Sequence, residues 1–218
     1  MKSDNQIHRD VLEELRWDPT TSIAEIAVAA KDGVVTLSGR ISSFAQKAAA
    51  LRAAERVAGV KAVADDLEVK LPSSLERGDT EIAHQVVEAL RWDVEVPTDR
   101  VKAKVSSGWI TLEGEVEWQF ERSAAERAVR YLTGVKGVTN LLVVQPKGVS
   151  TFEVGQKIRD ALRRSAERNA ERIVVEAADG YVTLKGRVRS WAERQDAERA
   201  AWSAPGVREV KDDIMIGL

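Results

Sequence analysis

Apolar residues recur every four positions at three places in the chain. They are Ile7, Val11 and Leu15 in the first place, Ile82, Val86 and Leu90 in the second, and Val154, Ile158 and Leu162 in the third. This spacing puts the apolar side chains on one face of an α-helix. Asp4, Asp79 and the pair Ser150-Thr151 stand just upstream and are candidate N-caps. The pattern predicts an amphipathic helix at the start of each of three segments.

Each of these helices is followed by two short segments in which apolar and polar residues alternate, as in β-strands. The dipeptides that join the segments are Asp32-Gly33, Ser107-Gly108 and Asp179-Gly180. They suit the positive φ angles of a two-residue turn and predict three β-hairpins. An alanine-rich helix over roughly 43–57, 117–132 and 189–203 comes next, and a last strand starts after Gly59, Gly134 and Gly206. The predicted order of elements is α-β-β-α-β.

The three segments are copies of one unit. Leu15-Arg16-Trp17-Asp18 recurs 75 residues later as Leu90-Arg91-Trp92-Asp93, and Gly108-Trp109-Ile110-Thr111-Leu112 recurs 72 residues later as Gly180-Tyr181-Val182-Thr183-Leu184. Because each offset is constant along the unit, we expect three tandem domains at 1–72, 76–146 and 148–218. The linkers between them are short, so neighbouring domains should touch.

The second strand of each unit carries a glycine among its inward apolar residues, at Gly39, Gly114 and Gly186. A glycine inside a strand usually lets another backbone come close, and the alanines of the next helix suggest that the helix is what approaches. We interpret these glycines and the turn glycines Gly33, Gly108 and Gly180 as packing residues and not as a phosphate loop. The predicted fold class is α+β: each domain has a three-stranded mixed sheet with two helices on one face.

The other face of each sheet is left open, and its residues differ among the copies. The central strand presents Val34 and Thr36 in the first unit, Trp109 and Thr111 in the second, and Tyr181 and Thr183 in the third. One interpretation is a surface that is free to vary. The alternative is a docking surface on which Trp109 and Tyr181 are aromatic anchors.

The amino-acid composition excludes several classes of function. Of 218 residues, 33 are Lys or Arg and 35 are Asp or Glu, and the net charge of −2 lacks the positive field of nucleic-acid-binding proteins. The absence of Cys excludes thiolate metal sites and a cysteine nucleophile. The two histidines, His8 and His84, are not at equivalent positions, and no nucleophile elbow, phosphate loop or zinc helix occurs. We therefore expect no enzyme, no cofactor, no metal and no nucleic-acid partner.

The chain has no apolar run near the ~18 residues of a membrane-spanning helix, and its polar start has no export signal. We expect a protein that is not transmembrane and is cytoplasmic as the sequence stands. The alternative is the periplasm, if an export signal has been removed.

The third unit has the most arginines, and Arg164, Arg168 and Arg172 follow one another at helical spacing. They are candidates for contact with a lipid phosphate or another anion. The alternative is a solvated helix on which interleaved acidic residues pair with the arginines. In the other two units Trp17 and Trp92 end the first helix, where we predict that they cover the core.

The repeated signature resembles the BON domain, the bacterial osmotic-stress and nodulation module. It comprises the segment from Gly33 to Gly39 with its two equivalents, the alanine-rich helix, and the closing Gly-Val-x-x-Val that begins at Gly59. The resemblance covers all three units and implies a non-enzymatic module, often exported, of stress proteins, secretins and channels. It also implies a role in binding phospholipid or the cell envelope.

From these features we expect a binding or scaffolding protein of tandem BON-like domains, associated with stress and with the envelope or phospholipid. An unidentified protein partner is compatible with the same sequence. The alternative function is a cytoplasmic module that responds to a small ligand or a cation.

Overall fold

The computed structural model describes residues 2–21, 25–147, 154–165 and 173–217. Unit 1 contains α1 (Asp4–Trp17), β1 (Ile26–Lys31), β2 (Val34–Ile41), α2 (Phe44–Arg56) and β3 (Ala62–Val69). Unit 2 contains α3 (Asp79–Trp92), β4 (Val101–Ser106), β5 (Trp109–Val116), α4 (Gln119–Arg130) and β6 (Gly137–Val144). Unit 3 contains α5 (Val154–Ser165), β7 (Ile173–Ala178), β8 (Tyr181–Val188), α6 (Trp191–Trp202) and β9 (Glu209–Ile216). The predicted order α-β-β-α-β is confirmed.

Each unit has its own three-stranded sheet with the strands in chain order. The first pair of strands is antiparallel and the second pair is parallel, so the sheets are mixed as predicted. Lys31 pairs with Val34 across a turn whose two residues, Asp32 and Gly33, have φ angles of 54° and 81°. These are the values of a type I′ hairpin. The other two dipeptides adopt the same turn.

The core of each unit lies between its sheet and its helices. The first helices bury Ile7, Ile82 and Ile158 of the predicted stripes, and the central strands bury Leu37, Leu112 and Leu184. The side chain of Leu162, the last residue of the predicted stripe in unit 3, lies outside the described residues. The second helix of each unit presents mostly buried alanines to the sheet. The helices of a unit therefore cover one face of its sheet and leave the other open.

At Gly39 and Gly114 the prediction that a helix approaches the strand glycine was wrong. Gly39 and Gly114 have φ angles of 132° and 134°. A Cβ at these positions would overlap the backbone carbonyl oxygens of Glu25 and Arg100, which stand beside the start of the antiparallel partner strand. The glycine is required because a neighbouring strand comes close, and not because a helix does.

The predicted N-caps also differ from the observed ones. Ser3 caps α1: its Oγ accepts a hydrogen bond of 3.3 Å from the Gln6 backbone N–H. Gly78 precedes α3 without a side-chain cap. Asp4 and Asp79 lie inside the first turn, and the pair Ser150-Thr151 lies outside the described residues. A prediction from residue type alone missed the cap by one residue, because serine and aspartate are both favoured there.

The units contact one another head to tail. Phe44, at the start of α2, packs against the core of unit 2, and Trp191, at the equivalent position of α6, packs against the core of unit 1. Leu71, just after β3, shares a cavity with the hairpin of unit 2, and Ile216 of β9 shares one with the hairpin of unit 1. The junction of unit 1 with unit 2 and the junction of unit 3 with unit 1 therefore resemble each other: in both, the start of the second helix and the end of the last strand lie against the neighbouring unit.

Candidate binding surfaces

The open sheet faces carry the two predicted aromatic anchors. Trp109 is 47% exposed and Tyr181 is 56% exposed, each at the start of its central strand. The indole of Trp109 lies over Gly137, its pairing partner on β6, and its Nε1 donates a hydrogen bond of 2.8 Å to Thr139 Oγ1. The absence of a side chain at Gly137 makes room for the ring. The indole of Trp109 is thus held in one orientation. Trp109 and Tyr181 lie on different sheets, so they do not form one site within a unit.

Sequence reasoning missed other exposed apolar residues on the open faces of the same two sheets. Leu141 and Val143 of β6 are each 55% exposed on the open face of unit 2, and Met215 of β9 is 57% exposed in unit 3. Leu141 and Val143 alternate with the buried Leu142 and Val144. An uninterrupted run of apolar residues in an edge strand signals that both of its faces are apolar. The alternation of the central strands alone does not reveal these edge-strand residues.

Trp17 and Trp92 do not cover the core, and that prediction was wrong. They are 86% and 77% exposed. The buried stripe of α1 ends at Leu15, and two residues further along a helix the side chain has turned by about 200°. The indoles therefore leave the helices on the side away from the core. Val94, just after α3, is fully exposed beside Trp92 in the sequence.

The backbone that follows Trp17 is held by local contacts. Asp18 Oδ1 accepts hydrogen bonds from the Thr20 backbone N–H at 3.0 Å and from its hydroxyl at 2.6 Å. These bonds are the main cause of the lowered pKa of Asp18. Arg56 of α2 lies 2.9 Å from Glu14 and 3.5 Å from Asp18. The exposed indole thus stands on a helix end that is tied to the rest of its unit.

The position of Trp17 and Trp92 is occupied by Arg164 in unit 3, at the constant offsets of the repeat. Arg164 belongs to α5, near its C-terminal end. Arg168 and Arg172 lie outside the described residues. Of the three predicted arginines, the structure relates only Arg164 to the exposed tryptophans.

The aspartate that binds the hairpin turn in units 1 and 2 is a structural site. Asp79 accepts hydrogen bonds of 2.8 and 2.9 Å from the N–H groups of Ser107 and Gly108. The Gly108 and Ser107 bonds lower the pKa of Asp79 because they favour its charged form.

Among the described residues no group of three His, Asp or Glu side chains is placed to hold a metal ion. None of the helices in the described ranges combines the length and apolar character needed to cross a bilayer.

A tandem α-β-β-α-β protein with these signatures matches a known family. The model of the BON domain matches residues 3–70, 78–146 and 150–217. The chain belongs to the BON-domain family and contains three copies of the domain, as the repeated glycine signature predicted.

Comparisons with known sequences and structures found similarity to two proteins. It is 35% identical over 120 residues to osmotically-inducible protein Y of Escherichia coli (strain K12), a match that covers 53% of this chain and 60% of that protein. Two structures of CdsD, a structural protein of the type III secretion system of Chlamydia trachomatis, align with 14% and 13% identity. The first alignment covers 97% of this chain and 92% of the other, the second covers both completely, and both TM-scores are 0.27. Likeness at that level does not establish a common arrangement of units.

Proposed function

We propose that this chain is a non-enzymatic, stress-related binding protein of the cell envelope. In this proposal it binds a phospholipid surface through the ends of the first helices of its units. Membership of the BON family supports a binding module. The name of its relative, osmotically-inducible protein Y, supports the connection with stress.

The observation that carries the lipid proposal is the exposure of Trp17 and Trp92 at equivalent positions. A tryptophan has a large apolar body and a polar N–H, and it is enriched at the boundary between lipid and water. Unit 2 also exposes Val87 on the same helix, 60% exposed, and the fully exposed Val94 just after it. Large apolar side chains on an ordered surface are typical of interaction sites.

The arrangement of the units favours simultaneous contact. Phe44 packs against the core of unit 2 and Trp191, its equivalent, packs against the core of unit 1. In our proposal the three units follow one another around a threefold axis, so that equivalent helix ends lie on one side. Trp17, Trp92 and Arg164 would contact a flat surface together, and three linked contacts bind more tightly than one.

The charges of the chain set the character of this binding. Arg164 is suited to a lipid phosphate, which a guanidinium can hold through two hydrogen bonds. The net charge of −2 gives no long-range attraction to an anionic surface. Binding therefore depends on short-range insertion of the indoles and is expected on zwitterionic as well as anionic vesicles.

Co-sedimentation of the full chain with phosphatidylcholine vesicles, with and without phosphatidylglycerol, tests the proposal. The double variant Trp17→Ala/Trp92→Ala should reduce binding by at least about tenfold, because each buried indole contributes on the order of 1 kcal/mol or more. Trp109→Ala, which removes an exposed tryptophan from the open face of unit 2, is the matched control and should bind normally.

Two results would oppose this assignment. If the double variant binds as well as the original chain, the helix ends are not the site. If Trp109→Ala alone abolishes binding, the open sheet faces are the site. Failure of the unaltered chain to sediment with either vesicle would reject lipid binding and favour a protein partner for the same exposed residues.

A further inference from the structure

The junction between units 2 and 3 differs from the other two. Phe44 and Trp191 pack against the core of the neighbouring unit. The equivalent residue of unit 2 is the polar Gln119. Its buried Oε1 has no hydrogen-bond partner among the described residues. A cavity of about 520 Å³ lies here, between the start of α4 and the end of α6. Small-molecule sites have this size and are frequent between domains.

The walls of this cavity are aromatic. Trp118 and Phe120 flank Gln119, and their rings are stacked with centroids 6.4 Å apart and planes 27° from parallel. Trp202, at the end of α6, supplies a third aromatic side chain from unit 3. Ring faces in this arrangement favour a flat, conjugated group over a branched aliphatic one.

The charged groups of the lining are two guanidinium groups and one carboxylate. Arg127 lies 2.6 Å from Glu95, and Arg199, also in the lining, lies 2.8 Å from Asp196. Both arginine side chains are more than half exposed. Ion pairs at the surface contribute little, so an incoming anion can replace either carboxylate at low cost. Each guanidinium is paired with one carboxylate, so an anionic ligand binds by displacing Glu95 or Asp196 from its arginine.

We propose that this cavity binds a small planar aromatic carboxylate. Its ring lies against Trp118, Phe120 and Trp202, and its carboxylate accepts hydrogen bonds from Arg127 and Arg199. The site is separate from the helix ends that carry Trp17 and Trp92. It draws residues from two units, so it exists only when units 2 and 3 are docked.

Titration of the full chain with 2-naphthoate, followed by NMR and calorimetry, tests the proposal. The ligand should shift the indole N–H signals of Trp118 and Trp202, and 2-naphthylmethylammonium at the same concentration should not. Arg127→Gln and Arg199→Gln should each weaken binding about tenfold, because each removes a charge-assisted hydrogen bond.

The Glu95→Gln variant is the most specific test of the proposal. In our proposal Glu95 competes with the ligand for Arg127, so Glu95→Gln should bind 2-naphthoate more tightly than the original chain. Glu113→Gln, which neutralises an exposed carboxylate of the same unit outside the cavity, is the control and should change nothing. A merely structural role for Glu95 would not produce a gain in affinity.

Several results would overturn the proposal. They are the absence of any shift at millimolar 2-naphthoate, equal binding of the cationic analogue, or unchanged affinity in both arginine variants. Shifts confined to Trp17 and Trp92 would place the ligand on the proposed lipid-binding surface instead. An unchanged or weakened affinity in Glu95→Gln would exclude the competition on which the assignment rests.

Discussion

The carboxylate of Asp79 accepts a hydrogen bond of 2.9 Å from the backbone N–H of Gly108, at the tip of a hairpin 29 residues away. The neighbouring N–H of Ser107 binds the other carboxylate oxygen. Asp4 makes the same pair of bonds to Asp32 and Gly33 in unit 1. The first turn of the helix and the type I′ turn are therefore joined by one acidic side chain in both units, which an N-cap role would not achieve.

We expect Asp79→Asn to loosen the hairpin of unit 2 and to speed amide hydrogen exchange at Ser107 and Gly108. The two N–H bonds lower the pKa of Asp79 below its ordinary 3.8. The stabilisation is therefore complete above that value and is lost as the pH falls through the folded-state pKa. The difference in melting temperature between the original chain and the variant should be present at pH 7 and disappear in acid.

Asp99→Asn is the control for this prediction, because the Asp99 carboxylate is 79% exposed. It should leave exchange at the hairpin unchanged. Equal exchange at Gly108 in the original chain and in Asp79→Asn would show that the carboxylate does not hold the turn.

Gly114 cannot be replaced without strain. Its φ of 134° and the nearby Arg100 carbonyl leave no room for a side chain. Gly114→Val should reduce the free energy of unfolding by about 2 kcal/mol or more, whereas Glu113→Val, one residue away and exposed, should cost less than about 0.5 kcal/mol. Urea denaturation measures both. Equal stability of the two variants would refute the close approach of the strands.

Gly137→Ala should displace the Trp109 ring while leaving the fold intact. A Cβ at Gly137 would overlap the indole, which can swing away because its far side is exposed. The hydrogen bond from Trp109 Nε1 to Thr139 would then be lost, at a cost of about 1 kcal/mol. Faster exchange of the Trp109 indole N–H is the expected signal, and Thr139→Val should reproduce it. An unchanged indole signal in both variants would contradict the observed packing.

The hairpins and the buried stripes could be predicted because they depend on neighbouring residues. The positive φ angles of Asp32-Gly33 and the four-residue spacing of Ile7, Val11 and Leu15 are local properties of the chain. The partner of Gly39 could not be predicted in the same way. Spacing shows that a backbone comes close, but not which one, and the Glu25 carbonyl is brought there by strand pairing.

The candidate sites were less predictable than the fold. The exposure of Trp17 follows from its position two residues past Leu15, and we missed it by assuming that an aromatic residue after an apolar stripe is buried. The roles of Phe44 and Gln119 depend on how one unit docks on the next. Periodicity within a unit carries no information about that docking.

A change at Phe44 should affect the neighbouring unit. Phe44 belongs to unit 1 but packs against the core of unit 2. Phe44→Ala should therefore increase hydrogen exchange in β5, at Leu112 for example, by an amount equivalent to about 1 to 2 kcal/mol, since the ring is only partly buried. Leu75→Ala, an exposed apolar residue in the linker, is the control. A change confined to unit 1 would show that the units do not support one another.

The arginines of unit 3 give the last prediction, which concerns anionic surfaces. Changing Arg164, Arg168 and Arg172 together to Ser should weaken binding to vesicles that contain phosphatidylglycerol and reduce its salt dependence, since each basic contact near such a surface contributes about 1 kcal/mol. The matched control changes Lys70, Lys102 and Lys104, exposed cations of units 1 and 2, to Ser. Both triple variants lower the net charge equally, so an effect of charge alone would weaken both. Loss in the arginine variant only would assign the anionic contact to unit 3, whereas equal losses, or indifference to lipid charge, would remove the arginines from the site and leave the exposed indoles of Trp17 and Trp92 to carry binding.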